Sequence, residues 1–379
     1  MKTAINQWLK NTFELVHSHD NKKNISSMEG IRGIAAFLVF IEHYVAVLEE
    51  KIGISQQHFV YELYLWFRNI GSVGVDLFFV LSGYLIYGAI ISKHRAFMPY
   101  ILRRIQRIYP TFIAVFIIYL ALSFLIPEKS KIPTETIAAL GYLLQSFLLM
   151  PPLFSDTEPL ITVAWSLSYE MFFYLFMPLL VGLFRLRRWQ ANQRILFFLI
   201  ATVLGYMYFF SNQGHPRMLM FISGILLFEV INNKQTQKTT PYLGGVLFVL
   251  SLIGIVQLML FKIPHGSWWR MVIIYLGFFM LCYECFSWRS PSAKLLSLRP
   301  LRWLGNMSYS YYLIHGLTVQ FVIMLFAKSY FNAQFESTWG FISFGVFVFM
   351  ATLIPATLLF VCIEKPFSLV TKTHKLIKS

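Results

Sequence analysis

The sequence predicts an all-α integral membrane protein with about ten transmembrane helices, one re-entrant hairpin and both termini in the cytoplasm. Three observations lead there. Of 379 residues, 57% are hydrophobic and 13% charged, and the mean hydropathy is +0.61. Apolar windows near or above the roughly 20 residues that cross about 30 Å of hydrocarbon recur along the whole chain. No polar stretch is long enough for a soluble domain, so one membrane domain fills the sequence, with residues 1–27 as an N-terminal segment and 368–379 as a tail.

Residues 1–27 are polar and lack the apolar core of a secretory signal, so the first span is expected to act as an uncleaved anchor. That span, 31–49, starts at Arg32 and carries Glu42 and His43 in its interior. Titratable groups at membrane depth are costly and mark functional sites. The second span, 72–92, has Asp76 near its outer end, among small residues that permit close helix approach. A basic run follows on the cytoplasmic side. In it Arg104 and Arg107 stand three apart on one helical face, where two guanidinium forks suit phosphates. On composition alone these arginines read first as a topological anchor.

After the span at 108–126 comes a shorter apolar piece, 136–154, containing Pro151-Pro152. As a full crossing it would give eleven spans, with 14 of the 32 Lys and Arg residues inside and 18 outside, against the positive-inside rule. As a hairpin entering and leaving on the outer side it gives ten spans, with 24 inside and 8 outside. The hairpin is therefore expected, and irregular backbone at that depth must be shielded or border a cavity. In the span 161–184, Ser166, Glu170 and Tyr174 recur every four residues and share a face that should point into the bundle. Spans at 194–210, 216–231, 242–261 and 268–287 lead to a basic turn at 287–302. Spans at 305–327, with His315, and 338–362 complete the set.

The net charge of +15 follows from orientation against an anionic inner leaflet, and nucleic-acid binding is not needed to explain it. Cys282 and Cys285 form a C-x-x-C with no second ligand pair and read as helix packing, as does Cys362. His17 and His19, in the polar N-terminal segment, carry little weight as metal ligands, and no metal site is expected.

Depth arithmetic tests which intramembrane groups can meet. His43 lies about 18 Å of helical rise from the inner boundary and Glu170 about 14 Å from the outer one, while His315 falls near the midplane. A histidine and a carboxylate at one depth on different helices suit a base and its orienting partner. Hydrogen bonding between packed helices is the plainer role for any one of them. Glu42 points about 100° around the helix from His43, toward another cavity wall or an outer vestibule.

These residues resemble the membrane acyltransferase-3 family, which O-acylates glycans and other hydroxylated acceptors. The resemblance runs over about 26–367 and sets the domain at 28–367. It rests on Met28-Glu-Gly-Ile-Arg-Gly-Ile-Ala-Ala36 with the spacing from Arg32 to His43, on Gly74-Val-Asp-Leu-Phe-Phe-Val-Leu-Ser-Gly-Tyr-Leu-Ile86, and on the Arg104 and Arg107 pair. Trp165-Ser-Leu-Ser-Tyr-Glu170, Ser308-Tyr-Ser-Tyr-Tyr-Leu-Ile-His315 and Ile363-Glu-Lys-Pro-Phe367 follow in the family's order. Met28-Glu29 and Glu42 depart from the residues usual there.

The resemblance implies a ten-helix core, an acyl-CoA donor entering from the cytoplasm and an acceptor presented on the opposite side. It makes His43 the catalytic histidine, Glu170 the motif acid, and Arg32, Arg104 and Arg107 the donor-binding candidates. No tightly bound cofactor is implied. Many relatives carry an appended extracytoplasmic hydrolase-like domain. This chain ends a dozen residues after Phe367 and is expected to complete the transfer itself, or with a separate partner or a second copy.

The expected reaction moves a short acyl group, acetyl first, from a thioester to a sugar hydroxyl in a bacterial inner membrane. Neutral His43 acts as base, and direct transfer and a covalent acyl-histidine both stay open. The rival is a proton-coupled transporter or exporter of a glycan, in which His43, Glu170 and Glu42 relay protons. Its signature, matched broken helices in two related halves, is not visible.

Overall fold

The computed structural model describes residues 2–15, 25–52, 61–150, 158–211, 215–233, 241–261, 267–287, 290–334 and 338–369. His17, His19, Pro151-Pro152 at the expected hairpin tip, and the tail beyond residue 369 lie outside them. Among the described residues the regular elements are helices, with no strand.

In chain order these are α1 (Lys2–Phe13), α2 (Ile25–Ile52), α3 (Tyr61–Gly71), α4 (Gly74–Ile91), α5 (Phe97–Leu125), α6 (Thr136–Phe147), α7 (Ala164–Leu183) and α8 (Ala191–Ser211). Then come α9 (Leu219–Asn232), α10 (Pro241–Leu260), α11 (Trp268–Ser287), α12 (Pro291–Leu295), α13 (Arg299–Asn306), α14 (Ser308–Gln334) and α15 (Thr338–Leu359). Eight helical runs among the described residues are long and apolar enough to cross a membrane: α2, α3 with α4, α5, α7, α8, α11, α14, and α15 with its continuation. The 12-residue α6 rises only about 18 Å, too short to cross alone. The windows at 216–231 and 242–261 hold α9 and α10.

The bundle exposes apolar side chains, as a lipid solvent requires, and buries its ionisable groups within an otherwise apolar core. On α8, Leu196, Ile200, Val203, Leu204 and Met207 are all exposed. Asp76, Glu229, Arg270, Glu284, His315 and Glu364 are buried.

Two close approaches set the frame of the interior. Where α2 meets the end of α12 and then α13, a Cβ at Gly30 would sit 1.6 Å from the Leu296 carbonyl oxygen, and one at Gly305 would sit 1.7 Å from that of Glu29. Only glycine lets these backbones touch, and the contact anchors the helix start that carries Arg32. A second contact joins α4 to α9, where Gly83 faces the Phe221 carbonyl and Gly224 that of Val80. The motif glycines at 30 and 83 are thus packing residues that fix the helices bearing Arg32 and Ser82.

After α15 the chain continues as a wider-wound π-helical stretch, Phe360–Leu369, with Pro366 inside it. Proline donates no amide, and such widened turns re-aim side chains. This one packs against α5 and directs Glu364 into the bundle. Nearby, Lys365 donates to the carbonyls of Asn11 and Thr12, both at 2.6 Å, so α1 docks beside the end of the last span.

Candidate active site

A cavity of about 190 Å³ lies between α2, α4, α5, α7 and α14. Six residues singled out by the sequence line it: Arg32, Arg104, Arg107, Ser166, Glu170 and Tyr174. The four-residue spacing on α7 does place Ser166, Glu170 and Tyr174 on one inward face, and the three-residue spacing on α5 puts both arginines on the cavity side.

The arginines differ in what holds them. Arg107 donates to Glu364 at 2.7 Å, and the other Glu364 oxygen accepts from the backbone and hydroxyl of Ser310 at 3.0 and 2.6 Å. Arg104 lies over the rings of Tyr100 and Tyr174, at 5.4 and 5.0 Å, with no carboxylate partner among the described residues. Arg32 donates to the Ser308 hydroxyl at 2.9 Å. Glu170 accepts from Ser82 at 3.1 Å and Tyr174 at 2.6 Å. Three guanidinium groups therefore converge on one small cavity while one carboxylate, Glu170, faces it with its acceptors partly occupied. Such an arrangement suits a polyanion at the arginine end.

Neither His43 nor His315 lines the cavity; they lie behind Tyr312. His43 and His315 are packed edge to face, with ring centres 4.7 Å apart and planes at 82°. Each ring's Nδ1 meets carbonyl oxygens: Val39 at 2.9 Å for His43, Tyr312 at 2.8 Å and Tyr311 at 3.1 Å for His315. A carbonyl only accepts, so Nδ1 holds the proton in both and Nε2 carries the free lone pair. Tyr312 stands between the histidines and the cavity. It lines the cavity, its ring centre lies 5.9 Å from that of His315, and its hydroxyl bonds Ser166 at 2.6 Å and the Val163 carbonyl at 2.8 Å. The ring neighbour of His43 is thus His315, while Glu170 bonds Ser82 and Tyr174 and makes no hydrogen bond to His43.

Asp76 and Glu42 fall elsewhere. Asp76 is buried at the start of α4, 3.7 Å from Arg217. Glu42 packs its backbone against Gly71. Neither lines the cavity. Sequence reasoning overlooked Glu364 as a site residue, together with Ser82, Ser308, Tyr309 and Tyr312. Glu364 had a readable signal, a carboxylate just past the expected last span and ahead of Lys365-Pro366. The others look like ordinary polar residues of a helix until the bundle closes around them.

The fold and the site define a multi-pass helical membrane protein with a cationic interior cavity. Residues 25–361 match the family described as "Acyltransferase domain", and the chain belongs to that family. It is an O-acetyltransferase-like acyltransferase. Similar proteins include the exopolysaccharide production protein ExoZ of Rhizobium meliloti (strain 1021), 27% identical over 67% of this chain and 78% of the relative. The putative peptidoglycan O-acetyltransferase YrhL of Bacillus subtilis (strain 168) is 25% identical over 79% of this chain and 49% of its own. The O-acetyltransferase OatA of Staphylococcus aureus (strain NCTC 8325 / PS 47) is 27% identical over 80% and 52%. The chain thus spans about half the length of the last two. No solved structure matches it.

Proposed function

We propose that this chain transfers an acyl group, acetyl foremost, from acyl-CoA to a carbohydrate hydroxyl, with His43 as base. The observation that carries the reading is the cavity whose one wall holds Arg32, Arg104 and Arg107 and whose other wall, Tyr312, abuts the His43–His315 pair. The arginines hold the donor's phosphates and leave the neutral thioester arm to run past Glu170 toward Tyr312. Nε2 of His43 takes the proton of the acceptor hydroxyl as its oxygen attacks the thioester carbonyl. The C–S bond then breaks, and the CoA thiolate recovers the proton from the imidazolium. Glu170 acts by charge across the cavity, since its hydrogen bonds go to Ser82 and Tyr174.

The same reading sets ten crossings with the piece at 136–154 as a hairpin, both termini cytoplasmic, and donor and acceptor entering from opposite sides of a bacterial inner membrane. The lysine and arginine distribution supports this orientation, and the names of the relatives support a cell-surface glycan as acceptor.

The test is CoA release from acetyl-CoA by the full chain in lipid nanodiscs, with and without a surface-glycan extract. Glycan-dependent release should fall by about 10²- to 10⁴-fold in His43→Ala. Release at the wild-type rate in that variant removes His43 from the chemistry. Failure of the wild type with a panel of acyl donors and glycans favours transport and calls for flux assays.

A further inference from the structure

The buried polar atoms that find no hydrogen-bond partner among the described residues include three, on three separate segments, at the end of the bundle away from Arg104 and Arg107. These three are Glu42 Oε2, Asp76 Oδ1 and His215 Nδ1. The three gather at one place: Asp76 lies 3.7 Å from Arg217, His215 stands two residues before Arg217, and the Glu42 backbone packs on Gly71, five residues before Asp76. Asp76 is 1% exposed, and the 3.7 Å from its Oδ1 to Arg217 Nε is too long for a hydrogen bond. The guanidinium of Arg217 lies 5.6 Å from the centre of the Trp165 ring, and Trp165 and Tyr169 flank His215 at 5.1 and 5.0 Å. By contrast, Arg270 nearby is committed to Asn69 and Ser72 through bonds of 2.8 to 3.1 Å.

Buried polar atoms are nearly always satisfied, so a convergent unsatisfied set calls for a ligand that supplies the partners. Two carboxylates repel an anion, and a simple alcohol meets only one of them. A sugar ring offers adjacent hydroxyls that donate to carboxylates and accept from a guanidinium, and an apolar face that rests on an indole. The location suits an acceptor. Trp165 adjoins Ser166 of the cavity wall, and Val163, two residues earlier, flanks Gly316 together with the His43 ring.

We propose that Glu42, Asp76 and Arg217, with the Trp165 ring, form the docking subsite for the acceptor, a neutral polyhydroxylated sugar residue. The identification of this sugar as the acceptor rests on the acyltransferase reading above. The three polar groups bridge neighbouring hydroxyls and present a further hydroxyl toward His43.

The test uses the full chain in nanodiscs with chitotetraose and cellotetraose as probes. Saturation-transfer NMR reports sugar binding without turnover, and mass spectrometry of the sugar reports acetyl transfer from acetyl-CoA. Arg217→Gln and Asp76→Asn should each cut the saturation-transfer signal at least fivefold. Each should raise the KM for the sugar tenfold or more and leave the KM for acetyl-CoA within twofold, while Arg217→Lys recovers part of the loss. Equal rises in both KM values mark a structural role and overturn the subsite. So does a wild-type protein that gives no saturation transfer to either sugar, or an Arg217→Gln protein that binds as well as wild type. If His43→Ala transfers acetyl as fast as wild type, the His43 chemistry fails instead, and the binding arm still decides the subsite.

Discussion

The two polar regions of the bundle use the same residue types and treat them oppositely. Near Arg107 the carboxylates are held: Glu364 by Arg107 and Ser310 on its two oxygens, and Glu170 on one oxygen by Ser82 and Tyr174; elsewhere Glu229, toward the end of α9, is gripped by both forks of Arg194 at 2.6 and 2.9 Å. Around Arg217, by contrast, Asp76 and Glu42 each keep an oxygen without a hydrogen-bond partner among the described residues. A fully satisfied buried network is a rigid frame, whereas a half-satisfied one is stable only when something completes it. The first region therefore aims arginines at a cavity, and the second leaves acceptors open at its own end.

The sharpest way to break that contrast is to remove the aimed arginines. Arg104→Ala combined with Arg107→Ala deletes two charge-assisted contacts, together worth about 3 kcal/mol, or roughly a hundredfold in the KM for acetyl-CoA. Initial rates at varied donor and fixed glycan measure it. Unchanged donor KM would remove the phosphates from this cavity and leave the arginines as topological anchors.

Glu364→Gln probes the frame itself with a smaller effect. The amide keeps the shape but loses the charge opposite Arg107, whose side chain is only 23% exposed. The expected outcome is a rise of about tenfold in donor KM, because Arg107 loses its orientation, together with an unfolding midpoint several degrees lower in detergent. A fall in donor KM would mean instead that the carboxylate competes with phosphate for Arg107.

Much of this frame was legible in one sequence because membrane helices leave strong marks. The ten apolar windows each hold a helix, and the residues spaced three apart on α5 and four apart on α7 line one cavity. Depth arithmetic put His43, Glu170 and His315 at similar heights, but height says nothing of azimuth. The fold turns His43 toward His315 and turns Glu170 to Ser82. Glu364 shows the other limit. Its position depends on a widened turn around Pro366, and helical periodicity of 3.6 does not predict where such a turn aims. Arg217 was illegible for a third reason: a single arginine at the edge of an expected span has no pattern, and its meaning comes from Asp76, Glu42 and Trp165, which lie far from it in the chain.

The mildest expected effect concerns the second region. His215 lies between two expected spans, and burial first, then the neighbouring Arg217, lower its imidazole from the ordinary 6.5 to about 4. In the folded protein the ring therefore stays neutral down to about pH 4, while the unfolded chain takes up a proton below about 6.5. The unfolded state binds more protons across that window, so stability from this group is fully present above about pH 6.5 and is lost as pH falls toward 4. Unfolding midpoints in detergent at pH 7.5, 5.5 and 4.5 should drop by a few degrees more for wild type than for His215→Gln, which cannot take up the proton. Equal slopes would mean that the ring titrates normally and is wetted from the Arg217 side. A saturating sugar should steepen the wild-type slope if it further excludes water from His215, which ties this small effect to the filling of the incomplete network.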